Sequence, residues 1–290
     1  MSQHVPILLK TITEALIQPD HESSWIVDCT LGGGGHTAEF LAQGANVIAC
    51  DQDALAIEQG KRRFVKEIEE GRLILVHSFF SEIHKYTHGK KIVGLLADLG
   101  FSSDQMADEQ RGMSFLKDGP LDMRMDQSQG ESCSEFLSSV KEDELERIIR
   151  EYGEERFSKR IASAIVSYRK LKQTPQTTKE FSQIVVMAIP SRFRHGRIHA
   201  ATRTFQALRI HVNRELEELD ALLHGLKTIL STGGRAAIIS FHSLEDRKVK
   251  NVFRSSDFNA LSKKPIVPND EEILSNPRAR SAKLRIAELK

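Results

Sequence analysis

The sequence predicts an α/β fold in which a parallel sheet, wound with helices, is interrupted by a helical insertion. Three observations carry this expectation. Short apolar runs alternate with amphipathic stretches over the first hundred residues. The alternation stops after about residue 103, and only helical patterns follow to about residue 200. A strand pattern then returns at 235–240.

Taken in order, Pro6 to Ile17 reads as an opening amphipathic helix, with Ile7, Leu8, Ile12, Ala15 and Leu16 on one face. Residues 25–30 form a short apolar strand, followed by Gly32-Gly33-Gly34-Gly35 and a helix opening at His36. Residues 46–50 are a second strand, ending on Asp51. Asp53 is placed to cap a helix running towards Ile68. Residues 73–76 and 92–97 supply two more strands, the latter ending on Asp98. Strands separated by helices imply parallel pairing with right-handed crossovers. In the insertion, Phe157, Ile161, Ala164, Ile165 and Tyr168 share one helical face, and Phe181, Ile184, Val185 and Ala188 another. A single long helix is then expected from Phe205 to Leu230, closed by Gly233-Gly234. Residues 265–277 read as an exposed connection, and 282–287 alternate like an edge or hairpin strand. The expected domains are 1–104 and 201–290 for the two parts of the sheet, with 105–200 inserted.

The 290 residues suffice for a sizeable core, and 40% hydrophobic with 28% charged content is ordinary for a soluble protein. A net charge of +1 excludes a globally basic nucleic-acid binder, so any such partner must meet local patches. No apolar run is long enough to span a bilayer, and no signal peptide is visible. Cys29, Cys50 and Cys133 are too scattered for a zinc site or a disulfide framework. No metal is expected, and a reducing cytoplasm is the simple inference.

The glycine run points to a cofactor. A strand, a glycine turn and a helix present backbone N–H groups to a ligand. An acid about 20 residues further on is where a carboxylate grips ribose hydroxyls. A dinucleotide is the poorer fit. Thr37 stands where its fingerprint wants a third glycine, and Asp28 would sit badly beside a pyrophosphate. S-adenosylmethionine carries a ribose and an ammonium group but no phosphate, and it suits acids on both sides of the loop.

Ligands of open parallel sheets bind beyond the carboxyl ends of the strands. That rule gathers Asp28, Asp51, Asp98 and the turn Ser240-Phe241-His242-Ser243 at one edge. Asp98 leads into Leu99-Gly100-Phe101, an acid and an aromatic suited to an exocyclic amine and its base. Methyl transfer to such an amine rests on positioning and on oxygens that stabilise the positive charge developing on nitrogen. Asp98, Phe101 and His242 are the catalytic candidates; Asp98 also reads as a strand-end turn residue, and His242 as a base, a substrate contact or a hydrogen-bonded turn histidine. Methylation of a cytosine carbon would need a nucleophilic thiol, usually marked by a Pro-Cys pair, which is absent. The stretch between Phe181 and Arg214 has no acid. There Arg192, Arg194, Arg197 and Arg203 are candidates for phosphate contact, with Phe193 as a stacking surface. Arg278, Arg280, Lys283 and Arg285 form a weaker basic cluster.

These residues resemble the MraW (RsmH) family of S-adenosylmethionine-dependent methyltransferases. The matching segments are 4–9, 32–36, 98–103 (Asp-Leu-Gly-Phe-Ser-Ser), 118–125 (Asp-Gly-Pro-Leu-Asp-Met-Arg-Met), 152–157, 202–210, 239–247 (Ile-Ser-Phe-His-Ser-Leu-Glu-Asp-Arg) and 276–285. They run in order over nearly the whole chain. The resemblance implies a Rossmann-like class I methyltransferase sheet with an inserted helical domain. It implies methylation of the exocyclic N4 amine of a cytidine in small-subunit (16S) ribosomal RNA. It implies that Gly34, Gly35, His36, Asp51, Phe80, Asp98 and Gln105 line the cofactor site, with Asp51 on the ribose and Phe80 near the adenine. Two departures stand out. Many amino-methyltransferases have Pro-Pro-aromatic after the acid, where this chain and the family have Gly100-Phe101. The family often has His-Pro where this chain has His199-Ala200. The expected partner is small-subunit ribosomal RNA or the assembling subunit, without a membrane, and a homodimer is one option for assembly. An idle RNA-binding protein and a small-molecule methyltransferase are the competing classes. The intact acids and glycine loop disfavour the first, and the arginine-rich segment disfavours the second.

Overall fold

The computed structural model describes residues 6–18, 24–196 and 198–290. The chain divides into two compact units, 1–100 with 216–290, and 101–215. The insertion is therefore longer than the expected 105–200. It takes in the turn after Gly100 and the helix that precedes Glu215.

The first unit is built on seven strands, β1 (Trp25–Asp28), β2 (Asn46–Asp51), β3 (Leu73–His77), β4 (Ile92–Asp98), β5 (Arg235–Ser240), β6 (Phe258–Ala260) and β7 (Lys283–Leu289). Their order is β3-β2-β1-β4-β5-β7-β6. The first five pair in parallel, and β7 runs antiparallel to both β5 and β6. This is the Rossmann-like sheet that the sequence predicts. Strand order reverses between β1 and β4, which opens a ligand crevice at their carboxyl ends.

Alternation along each strand divides two cores. Val27 and Ile48 face one side, and Ile26 and Val47 the other. Helices α1 (Leu9–Leu16), α2 (Gly35–Ala42) and α3 (Ala54–Arg63) cover the Ile26 side through Ile12, Leu16, Phe40 and Ile57. A short α4 (Val65–Glu69) follows α3. The expected single helix from Asp53 to Ile68 is broken at Phe64 (φ −114°, ψ 36°). Asp53 does cap α3, accepting from Leu55 N.

The second unit starts with α5 (Ser103–Ala107) and continues with α6 (Cys133–Ser139), α7 (Glu142–Gly153), α8 (Ser158–Leu171), α9 (Thr178–Ala188) and α10 (Thr202–Val212). Its core gathers Ile148, Ile161, Ile165, Phe181 and Leu208. No strand occurs in it among the described residues, only isolated bridges.

The long helix expected over 205–230 is in fact α10 and α11 (Glu215–Ile229). Asn213 ends α10 by turning its side chain inward. Its Nδ2 donates to Met123 O at 2.8 Å and Arg209 O at 2.9 Å, and its Oδ1 accepts from Met125 N at 2.7 Å. Arg214 then takes a left-handed turn (φ 52°). Steps of three and four in the apolar pattern run straight through this break and do not reveal it. In the first unit, α11 and α12 (Ser243–Phe253) cover the Val27 face through Leu219, Leu223, Leu226, Val249 and Phe253.

Of the two alternatives for 282–287, the edge position is corrected, while the antiparallel pairing with the preceding strand holds. β7 lies between β5 and β6, and the edge belongs to Phe258–Ala260, too short to show alternation. The expected connection 265–277 holds α13 (Asp270–Ser275), capped by Asn269.

Candidate functional site

β1, β2 and β4 each end on an acid, Asp28, Asp51 and Asp98, at one edge of the first unit. Parallel pairing puts these ends side by side. The loop after β1 connects them. Thr30 Oγ1 accepts from Asp98 N at 2.8 Å, and Asp28 accepts from Thr30 N at 3.1 Å and from Thr37 Oγ1 at 2.7 Å. Asp51 Oδ2 accepts from Gly32 N at 2.8 Å, and its Oδ1 from Asp53 N at 2.8 Å. One carboxylate thus fixes both the glycine turn and the start of α3, and each oxygen keeps a further lone pair.

The glycines have distinct reasons. Gly34 adopts φ 72°, and a Cβ there would lie 2.8 Å from the Phe64 ring. At Gly35 a Cβ would lie 2.3 Å from Pro6 Cγ, so this glycine lets α2 start directly against the chain before α1. A Cβ at Gly33 would meet nothing within 4 Å. Arg63 closes the loop from outside, its Nη1 donating to Gly33 O, with its guanidinium 5.0 Å from the Phe64 ring centre. His36 is buried, with Nε2 3.1 Å from Ile7 O. Phe80, after β3, packs half-buried against the core.

The acids are crowded. Asp98 is half-buried as a residue, yet its Oδ1 is enclosed and has no hydrogen-bond partner. Burial pushes its pKa up to about 7, helped by Asp28 and Glu245 and opposed by Arg278. Asp28 is also pushed up to about 7, chiefly by burial, and Asp51 to about 6 for the same reason. Such a cluster suits a cationic ligand.

The pKa directions also set a stability trend. A carboxyl whose folded pKa is raised binds its proton more tightly in the folded state, so stability falls as pH rises from the unfolded value through the folded one. For these three acids the fall spans about pH 4 to pH 7. The ligand-free melting temperature is expected to decline over pH 5–8, and a cationic ligand should raise it more at pH 8 than at pH 5. Calorimetric melts at both ends of the range check this.

His242 caps α12. Its Nδ1 faces Glu245 N at 3.5 Å, while Glu245 Oε2 accepts from Phe241 N at 2.9 Å and from His242 N at 3.3 Å. His242 Nε2 is enclosed 3.2 Å from Glu245 Oε1, without the alignment of a hydrogen bond. Phe101 and Gln105 belong to the second unit. Arg209 lies over the Phe101 ring at 4.9 Å and pairs through two hydrogen bonds, 2.7 and 2.8 Å, with Glu215. Gln105 is buried and accepts from Ser102 N at 2.9 Å.

The arginine candidates separate. Arg194 donates to Ile189 O at 2.8 Å and Met187 O at 3.1 Å, at the end of α9. Arg203 donates to Glu154 O at 3.1 Å, just past α7. Both hold helix carbonyls, where a cation is favoured. Arg192 is exposed and stacks on Phe193 at 4.8 Å. Arg197 lies outside the described residues. Sequence reasoning missed Thr30 and Arg63, whose roles are contacts with backbone, and gave Arg278 only as part of a weak basic cluster. Arg285 of that cluster pairs with Asp246 at 2.7 Å.

All three cysteines are free and buried. Burial pushes the Cys133 thiol up, and Cys29 together with burial raises Cys50. Neither supplies an exposed thiolate. Among the described residues no helix is long and apolar enough to cross a membrane.

A family model described as the MraW methylase family matches residues 1–290. Among curated proteins, the "Ribosomal RNA small subunit methyltransferase H" of Persephonella marina is 44% identical over 296 aligned positions, covering 99% of each chain. Its namesake in Clostridioides difficile is 42% identical, covering 98% of each chain. That of Sorangium cellulosum is 45% identical, covering 98% of this chain and 90% of its own.

Proposed function

The chain belongs to the MraW methylase family, and from that premise we propose that it transfers a methyl group from S-adenosylmethionine to the N4 amine of a cytidine in small-subunit ribosomal RNA. The observation that carries the chemistry is the enclosed, unpartnered Oδ1 of Asp98 at the switch point of the sheet. A buried acceptor without a donor is costly unless a ligand completes it.

The residues fit the cofactor. Asp51 keeps lone pairs for a ribose diol, the loop is clear beside Gly33, and the acids Asp28 and Asp98 suit its positive charge. In this reading Gly34, Gly35 and His36 shape the loop, Phe80 packs near the adenine, and Gln105 completes the lining. When bound, S-adenosylmethionine supplies an electrophilic methyl group. The protein's own part is orientation. Asp98 accepts from the cytidine amine and stabilises the positive charge that grows on nitrogen. Phe101 supports the base, and His242 is a substrate contact on the turn after β5. The base must leave its stack to reach the edge of the sheet, so the target is single-stranded or flipped.

The buried thiols favour nitrogen over carbon as the acceptor. The relatives' names support ribosomal RNA as the substrate, and Arg192 and Arg203 are exposed arginines of the predicted set that can meet its phosphates. We place the reaction in the cytoplasm, on the small subunit or its RNA.

Incubating the protein with small-subunit particles and labelled S-adenosylmethionine, then digesting to nucleosides, is expected to place the label in N4-methylcytidine. Label in carbon-methylated or ribose-methylated cytidine would overturn the assignment.

A further inference from the structure

The helical unit carries an exposed cationic stack in which Arg192 is joined by Arg156, a residue with no role above. Arg156 lies 4.1 Å from the centre of the Phe193 ring and 4.7 Å from that of Phe157. Arg192 lies 4.8 Å from the Phe193 ring centre. The two rings are 5.3 Å apart. Phe193 is 37% exposed, and both arginines are exposed. Neither arginine has an ion pair among the described residues, and two like charges share one ring.

The local structure fixes this stack. α9 ends at Ala188, and its last carbonyls are held by arginines. Arg160 Nε donates to Ala188 O at 3.0 Å, and Arg194 binds Met187 O and Ile189 O. Pro190 then starts a single tight turn, Ser191–Phe193, closed by Phe193 N donating to Pro190 O at 2.8 Å. On the other side, Phe157 N donates to the buried Glu155 carboxylate at 2.8 Å, immediately before α8. Both rings are thus placed by backbone that is itself tied down.

We propose that Arg156, Phe193 and Arg192 form a docking surface for a single-stranded stretch of the RNA substrate. The proposal rests on the reading of the protein as an RNA methyltransferase. Stacking occupies the face of a guanidinium and leaves its in-plane donors for phosphate oxygens. The exposed part of the Phe193 ring offers an apolar surface to a base. Two guanidinium charges without ion pairs among the described residues, beside an accessible aromatic, complement a strand that alternates phosphate and base. The same surface gives an acidic peptide its charge partners but leaves the aromatic component unused.

The test uses the full chain and a short fluorescein-labelled single-stranded RNA in anisotropy titrations over a salt series. Arg156→Ala with Arg192→Ala is expected to weaken binding by tenfold or more. It should also lower the slope of log affinity against log salt by roughly 0.7 for each phosphate no longer neutralised. Phe193→Leu keeps both charges and most of the apolar volume. It should cost about tenfold in affinity through the missing stacking surface and leave the slope nearly unchanged. Arg156→Lys with Arg192→Lys should recover the slope but not the full affinity. Thermal melts confirm that each variant is folded. Unchanged affinity and slope in the folded alanine variant overturn the surface. So does normal binding of free RNA combined with failure to bind small-subunit particles, which assigns the surface to a protein component. Nucleoside analysis with wild-type protein runs in parallel. If N4-methylcytidine forms while the variants bind normally, only the docking surface fails. If none forms, the underlying reading fails.

Discussion

Replacing Asp98 by Asn is expected to lower methyl transfer by a hundredfold or more while leaving the ligand-free protein as stable as the wild type, or more stable above pH 7. The two halves of this expectation have one cause. Asp98 Oδ1 is enclosed without a partner, and burial with the nearby Asp28 and Glu245 pushes the carboxyl up to about 7. Holding that group charged at neutral pH costs the empty protein stability, and a neutral amide removes the cost. The same charge is what a positive nitrogen in the transition state requires. Removing one such preorganised electrostatic group typically costs about 10²–10³ in rate. The backbone at this point needs no carboxylate, since Asp98 N is already bonded to Thr30 Oγ1. Single-turnover rates and melting curves on the same preparations give the answer. Wild-type turnover in the folded variant would reduce Asp98 to a strand-end residue.

A pH profile sharpens this result. If the anion is the active form, kcat/KM rises with pH through about 7. Asp28→Asn removes a neighbouring negative charge and should move that limb to lower pH. Arg278→Ala removes the opposing positive charge and should move it higher. A profile indifferent to both substitutions would detach the limb from Asp98.

The parts of the site legible in sequence are those set by short-range pattern. A strand, a glycine turn and an acid at the end of the next strand are local, and the folded chain brings Asp51 against Gly32 N. The alternation of Ile26 with Val27 and of Val47 with Ile48 places two cores without any knowledge of the fold. What escaped depends on partners distant in sequence. Thr30 looks like any polar residue after a strand until Asp98, 68 residues away, binds it. Arg63 reads as one of three successive basic residues within a helix, and only the folded chain ends the helix there and aims it at Gly33. The break at Asn213 is invisible because its side chain answers to Met123 and Met125, 90 and 88 residues earlier. The acid-free arginine stretch concealed contacts for a related reason. Freedom from local acids does not imply freedom, because helix carbonyls at the ends of α7 and α9 take Arg203 and Arg194. Arg156, part of the exposed stack, stood outside that stretch altogether.

Asp51→Ala is expected to weaken S-adenosylmethionine binding by more than tenfold, and by more than the removal of a ribose partner alone. A charge-assisted pair of hydrogen bonds to a diol is worth roughly 1.5–3 kcal/mol. In this fold the carboxylate has a second task. It holds Gly32 N and Asp53 N at 2.8 Å each, so its removal frees the turn that presents the loop and the cap residue that starts α3. The two contributions can be told apart. Asp51→Asn keeps one acceptor for a backbone N–H and places an amide N–H₂ against the other. It should restore part of the loop order, seen as amide exchange protection at Gly32 and Asp53, without restoring affinity. The pH dependence supplies an independent sign. Burial raises the Asp51 carboxyl to about 6, so wild-type affinity should fall as pH drops below that value, as the charged acceptor is neutralised. The Asn variant should lose this dependence. Calorimetric titration of wild type and both variants at pH 5 and pH 8 reads all of these quantities. Equal affinities across the three proteins would remove Asp51 from the cofactor site and leave it as the clasp of the glycine loop alone.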